Sequence, residues 1–472
     1  MNNYNIIASV YVFILFTASG ASVNSITHNV SPRRELNSIS RAVQLANEGD
    51  TILVDGGSYN EHLVINKALK LIGKNNPRII GNGKGTVIKI TSPGTTIKGF
   101  HISGSGESLN AEDCGILLEN SPNSVVENNI LEDVLFGIYL KNSPDSVIKE
   151  NKITGKDLDI PDRGDGIRLW YSSGVLIKGN KIKSSRDFVM WWSGDTVIEN
   201  NIVEDGRYGL HYMYSNNNLF KNNIFRGNLV GGFLMYSKNI RLEDNKFIQN
   251  QGIASGYGVG FKDLDNVEAE GNMFIDNRVG IYIDNSPSSY DIWNKIKNNT
   301  FAFNDIGASL MPSIERNIII GNNFIDNTEQ IEVRGGGSLK GNKWFINNKG
   351  NYWSDYKGYD EDNDGIGDFP YLAESLFENM MNKYSVLRIF IHSPVTQALD
   401  IAAKAFPVFK PEPKVKDEFP LMIPYSLKLN TEYTNIKNPK NLLIYLILIL
   451  TPITIILYLL KPFSGYLIDR DK

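Results

Sequence analysis

The sequence predicts an all-β chain, wound as a right-handed parallel β-helix of about ten or more coils of roughly 22 residues each. Three observations carry this. First, Asn-x-hydrophobic after a β-branched run recurs at Asn128, Asn151, Asn180, Asn200, Asn222, Asn245, Asn272, Asn299, Asn322 and Asn342, in steps of 20 to 29 residues. Second, another register repeats in the same segments: Gly115-Ile-Leu-Leu118, Gly137-Ile-Tyr-Leu140, Gly166-Ile-Arg-Leu169, Gly209-Leu-His-Tyr212 and Gly280-Ile-Tyr-Ile283. Third, 42 Gly and more than fifty Asn are in excess, and both residues enter left-handed turn conformations at low cost. A propeller needs a longer repeat, and a leucine-rich repeat needs a different Leu spacing and a helical return.

The elements follow in order. Residues 5–20 are apolar and lead into Ala18-Ser-Gly-Ala21, so 1–21 reads as a secretory signal. Residues 22–50 read as a cap for the open end of the stack: Leu36, Ile39, Val43 and Ala46 share one helical face. Gly49-Asp50 then opens the strand Thr51–Val54, and the β-helix occupies 51–350. An Asp-rich loop fills 351–371, and 372–435 reads as a tail. Its stretches 373–382 and 394–406 have helical spacing, and 407–435 holds five Pro and reads as extended. Residues 442–460 are uncharged between Lys440 and Lys461, long enough for a transmembrane helix. An exported body then leaves 461–472 as a cytoplasmic tail.

In a β-helix the interior is filled, so function sits on the outer faces. Aligning coils on the turn residues Ser143, Ser172, Ser193, Ser215, Ser237 and Ser286 places Lys141, Trp170, Trp191, Met213, Met235 and Asp284 in one outward column. A second outward column holds Tyr139, Arg168, Val189, His211, Phe233 and Tyr282, with the aliphatic positions between them inward. Trp170, Trp191 and Phe233 make this face too apolar for a solvated strand, which points to partner binding. His211, Met213 and Met235 together offer one imidazole and two thioethers, a donor set that favours Cu(I) over hard cations. Met190 reads as inward, although it lies one repeat before Met213. Packing beneath a loop or against another subunit is the alternative explanation of the face.

Asp360, Asp362, Asp364 and Asp368, with Gly365 at the sixth position, match the first part of a Ca²⁺ loop. Tyr371 stands where the bidentate Glu belongs, so a solvated acidic turn is the alternative. Asp165, Arg168 and Asp187 are the catalytic candidates for a carbohydrate-active β-helix enzyme, although Arg beside each acid suits structural pairing better than general-acid work. A non-catalytic surface protein is a third reading. The net charge of −4 gives no basic footprint for nucleic acid. Cys114 is the single cysteine, which excludes intrachain disulfides and Cys-based zinc sites.

Several segments together resemble the NosD family over residues 35–425: Gly164-Asp-Gly-Ile-Arg-Leu-Trp170, Gly209-Leu-His-Tyr-Met-Tyr214, Gly350-Asn-Tyr-Trp-Ser-Asp-Tyr356 with its acidic continuation to Asp368, Ser393-Pro394 and Phe419-Pro-Leu-Met422. The resemblance implies an exported β-helix without catalytic activity, required to mature nitrous-oxide reductase. The implied partners are an ABC transporter permease and ATPase, the copper chaperone NosL and the reductase itself, with copper or sulfur as cargo. The span at 442–460 departs from the usual soluble form and would fix the body beside the permease. The expected molecule is a tethered scaffold that docks on the transporter and passes Cu(I) onward.

Overall fold

The computed structural model describes residues 25–253, 255–373, 384, 386–387 and 413–425. The expected signal 1–21, the stretch 394–406, the span 442–460 and the tail 461–472 lie outside the described residues. Among the described residues no helix is long and apolar enough to cross a membrane.

Each coil contributes a strand to each of three faces. One face is a sheet of 13 strands, one per coil, running from Ser58–Tyr59 to Tyr352–Trp353. Pairing between successive coils is parallel throughout the solenoid, as between Asp187–Trp191, Tyr208–Met213 and Gly232–Glu243. The period-2 alternation drives this winding. Leu140, Leu169, Met190, Tyr212 and Leu234 point inward on five successive coils and are fully buried. Full burial of such side chains contributes about 1.5–3 kcal/mol each. Phe225, Phe247, Phe274, Phe301, Phe324 and Trp353 stack ring on ring at 4.4–5.1 Å along the core.

The corners need a polar solution, because each turn buries backbone groups. Asn129, Asn151, Asn180, Asn201, Asn223, Asn245, Asn272, Asn299, Asn322 and Asn351 form a continuous buried ladder. In each rung the backbone N–H and Nδ2 donate to Oδ1 of the next Asn, both at 3.0 Å for Asn151 to Asn180. The residues Asn128, Asn200 and Asn222 expected in this series sit one place earlier and do another job. They take positive φ (53°, 59° and 53°) at the corner itself. Asn342 belongs to a separate ladder with Asn317.

The N-terminal cap is shorter than expected. Thr27–Val30 pairs in parallel with Thr51–Val54, so the solenoid begins inside 22–50. The helix runs Ile39–Leu45 and buries Ile39, Ala42 and Val43. Its N-terminus is held by Glu61, which accepts from the Ile39 and Ser40 N–H groups, and Lys67 donates to the carbonyls of Val43, Gln44 and Ala46 at the other end. Each charge complements the helix dipole.

The C-terminal end differs from the extended tail read over 407–435. Val415–Asp417 pairs antiparallel with Tyr371–Ala373, and residues to Tyr425 lie back on the last coil. Pro spacing cannot reveal this, because the chain returns to partners such as Asn323, which Tyr425 meets across 102 positions.

Candidate metal and docking face

The face that carries the expected columns is built from Phe136–Lys141, Ile167–Trp170, Asp187–Trp191, Tyr208–Met213, Gly232–Glu243 and Tyr257–Glu270. Lys141, Trp170, Trp191, Met213 and Met235 are register partners on successive coils, as are Arg168, Val189, His211 and Phe233. One coil is missing from the sequence alignment. Lys262 follows Met235 and Gly260 follows Phe233 before Asp284 and Tyr282 are reached. That coil escapes an alignment on turn Ser because Leu264 occupies the Ser position. Met190 is fully buried, as its inward assignment requires.

His211 reaches the outward column through a β-bulge. Asp187 pairs with Tyr208 but Val189 pairs with His211, so the second strand holds one extra residue. Bulges of this kind re-aim a side chain. The imidazole stacks on Tyr208 at 4.9 Å and meets Trp191 edge-on at 5.1 Å. Its Nδ1 lies 3.2 Å from Asp187 Oδ2. Nε2 has no hydrogen-bond partner among the described residues. Met213 and Met235 stand side by side one coil apart and are half-buried. Imidazole and thioether suit a soft cation. Trp170 and Trp191 lie 5.5 Å apart beside them, and Phe233 continues the apolar surface towards Tyr257 and Tyr282.

Of the catalytic candidates, Asp165 pairs with Arg168, and Asp187 on the next coil has its own partners, Arg207 and His211. Asp165 receives Arg186 at 3.3 Å and lies 3.7 Å from Arg168, which also pairs with Glu112 and covers the Tyr139 ring at 4.9 Å. Burial and then the neighbouring Asp187 charge push the Asp165 carboxyl up to about 6, against the pull of Arg186 and Arg168. For Asp187, burial opposes ionisation, but hydrogen bonds from His211 and Arg207 hold its carboxyl below the usual range. Both acids are sealed under arginines, with 2% of each exposed. A glycosidase needs its two carboxylates open to one groove.

Sequence reasoning missed a further aromatic column. Tyr171, Trp192, Tyr214 and Tyr236 stack face to face at 5.1–5.5 Å along four successive corners. All four have φ near 50°. Asn120, Asn142, Asp263 and Asn285 hold the same corner in other coils. The signal was present: an aromatic directly before the turn Ser, where other coils carry Asn.

In the Asp-rich loop, carboxylate oxygens of Asp360, Asp362 and Asp364 lie within 4.8 Å of one another. Asp368 is not part of that group, and its Oδ2 instead accepts from the Glu361 N–H. Gly365 has φ of 86° and donates its N–H to Asp360. The Asp364 N–H lowers the Asp362 carboxyl, but the Asp364 charge, desolvation and the neighbouring Asp360 and Asp368 together outweigh it, and the net shift is upward. Cys114 is fully buried, which pushes its thiol above the usual range.

Comparison with known proteins finds relatives of this sequence. Residues 149–358, which include the whole of the face from Trp170 to Met235, match the family model described as periplasmic copper-binding protein (NosD). Residues 37–160 match the right-handed beta helix region model. A Pseudomonas aeruginosa protein named probable ABC transporter binding protein NosD is 32% identical over 380 residues, covering 78% of this chain and 86% of its own. Its namesake from Stutzerimonas stutzeri is 30% identical over 390 residues, covering 80% and 87%. Among solved structures, the catalytic domain of a GH87 alpha-1,3-glucanase is 12% identical at a TM-score of 0.48 and covers 69% of each chain. A likeness that loose has no bearing on activity. With identity of this order along most of both bacterial relatives, the chain belongs to the NosD family.

Proposed function

We propose that this protein is an exported accessory scaffold for the maturation of nitrous-oxide reductase, which docks on an ABC transporter and helps deliver Cu(I) to the reductase's copper-sulfide cluster. The single observation that carries the copper role is the fixed imidazole of His211, whose Nε2 has no hydrogen-bond partner among the described residues, two positions from Met213 of the register pair Met213 and Met235. The family model's description as copper-binding supports it. Trp170, Trp191 and Phe233 supply the apolar wall on which a partner would dock, and the relatives' names support a transporter as that partner. NosL, as copper donor, and the reductase, as acceptor, complete the route. The stretch 442–460 would tether the solenoid to the outer face of the membrane, and the Asp360–Asp364 loop would take Ca²⁺. The sealing of Asp165 and Asp187 favours docking over polysaccharide cleavage.

The copper role is tested by competition with a chromophoric Cu(I) chelator under anaerobic, reducing conditions. His211→Ala combined with Met213→Leu is expected to weaken Cu(I) binding on the order of tenfold to a hundredfold. Unchanged affinity would overturn the assignment.

A further inference from the structure

We propose that Asp187 is the positioning residue of this face: its carboxylate, clamped by Arg207, holds His211 with Nδ1–H inward and so presents a bare Nε2 lone pair outward to a soft metal ion. This rests on the copper reading above and names the group that prepares its imidazole.

The geometry argues it in three steps. Four donors converge on the two Asp187 oxygens. Oδ1 accepts from Arg207 Nε at 2.9 Å and from the Tyr208 backbone N–H at 3.2 Å, and Oδ2 accepts from the Arg207 guanidinium and faces His211 Nδ1 at 3.2 Å. An ionised carboxylate only accepts, so Nδ1 must carry the proton, and a neutral imidazole then keeps its lone pair on Nε2. A carboxylate or carbonyl behind a ligating His is the general device that sets its tautomer and orientation.

Second, the ring has little freedom. Tyr208 covers one face at 4.9 Å, Trp191 meets its edge at 5.1 Å, and the side chain is 17% exposed. Third, the bulge is what makes the contact. In an unbroken ladder starting from Asp187 opposite Tyr208, position 211 would pair with Met190 and point inward. The extra residue moves His211 opposite Val189, outward and one two-residue step along from Asp187, about 6.6 Å on the strand axis. Arg207 and the Tyr208 N–H already satisfy Asp187 without the imidazole, so the His211 contact is additional to what buries the acid.

The first measurement is a long-range ¹H–¹⁵N correlation spectrum of His211 in the metal-free protein at a pH where the imidazole is neutral. The Nδ1–H tautomer is expected, and finding Nε2–H in the native protein overturns the proposal whatever any variant does. The second uses Asp187→Asn, whose amide can donate to Nδ1 and reverse the tautomer. Its Cu(I) affinity in the chelator competition is expected to fall on the order of tenfold to a hundredfold, with no further fall when His211→Ala is added. If His211→Ala weakens Cu(I) binding while Asp187→Asn leaves both tautomer and affinity unchanged, positioning by Asp187 is wrong and the copper reading stands. If His211→Ala has no effect on Cu(I), the copper reading fails, and the tautomer of the metal-free protein still decides the role of Asp187.

Discussion

Asp165 and Asp187 stand on neighbouring coils of one face, and the fold drives them in opposite directions. Asp165 rises from 3.8 to about 6, so its protonated form is the one the fold favours. Its contribution to stability is fully present below the unfolded value of 3.8 and is lost as pH rises through about 6. Asp187 is lowered, so its contribution is present above the unfolded value and disappears as pH falls through the folded one. Asp165→Asn removes only the first effect. Its melting temperature is therefore expected to decline less than that of the wild type between pH 3.8 and about 6. Equal slopes in the two proteins would show that Asp165 is not held protonated. The sequence makes these residues visible as a cluster of acids and arginines, and it makes His211, Met213 and Met235 visible by spacing. It does not show that Asp187 serves His211, because they are 24 positions apart and joined through a bulge. Asn carries a similar lesson. Asn128-Asn129, Asn200-Asn201 and Asn222-Asn223 are pairs with divided labour, the first taking positive φ and the second the ladder. A repeat read as one Asn per coil cannot tell them apart.

At the scale of the element, the corners show where local preference is overridden. A non-glycine residue in the left-handed region costs roughly 1–2 kcal/mol, least for Asn and Asp. Stacked aromatic pairs return about 0.5–1.5 kcal/mol each. The ladder of Tyr171, Trp192, Tyr214 and Tyr236 has three stacked pairs against four left-handed residues, so it offsets only part of its own strain. Stability alone gives no reason to prefer it over the Asn found at Asn142 and Asn285. It lies on the coils of Trp170, Trp191, Met213 and Met235, beside the proposed docking face. The Asp-rich loop is legible as a motif, and in it the carboxylates of Asp360, Asp362 and Asp364 converge while Asp368 stands outside the group. With a Kd on the order of 1 mM, about 10 mM Ca²⁺ would stabilise the protein by about 1.4 kcal/mol. Melting temperature is expected to rise with Ca²⁺ in the wild type and to stay level in Asp362→Asn. A wild type indifferent to Ca²⁺ leaves the loop as an acidic turn.

For the molecule as a whole, a solenoid is a row of coils that each contact only their neighbours, so its weak points are its two ends. At the N-terminal end the Ile39–Leu45 helix closes the core and was legible from its periodicity. The C-terminal closure was not, because it depends on a returning strand. Asp417 lies fully buried at the point where the Asn ladder runs out. Its Oδ2 accepts from the Asn351 N–H at 2.8 Å and from Trp353 Nε1 at 3.0 Å, and its Oδ1 accepts from the Phe419 N–H at 3.2 Å. Lys414, three residues earlier, reaches Glu329 at 2.5 Å inside the same end. Gly350 must stay without a side chain here, since a Cβ would lie 1.9 Å from Asp417 Oδ1. Asp417→Ala strands the Asn351 and Trp353 donors in a dry core, at about 1–3 kcal/mol for each. In a one-dimensional stack that loss acts locally before it acts globally. Amide hydrogen exchange is therefore expected to quicken first in Asn317–Ile320 and Tyr352–Trp353, while Tyr208–Met213 keeps its protection. Uniform loss along all coils would mean that the solenoid unfolds as one unit and that Asp417 is not an end closure.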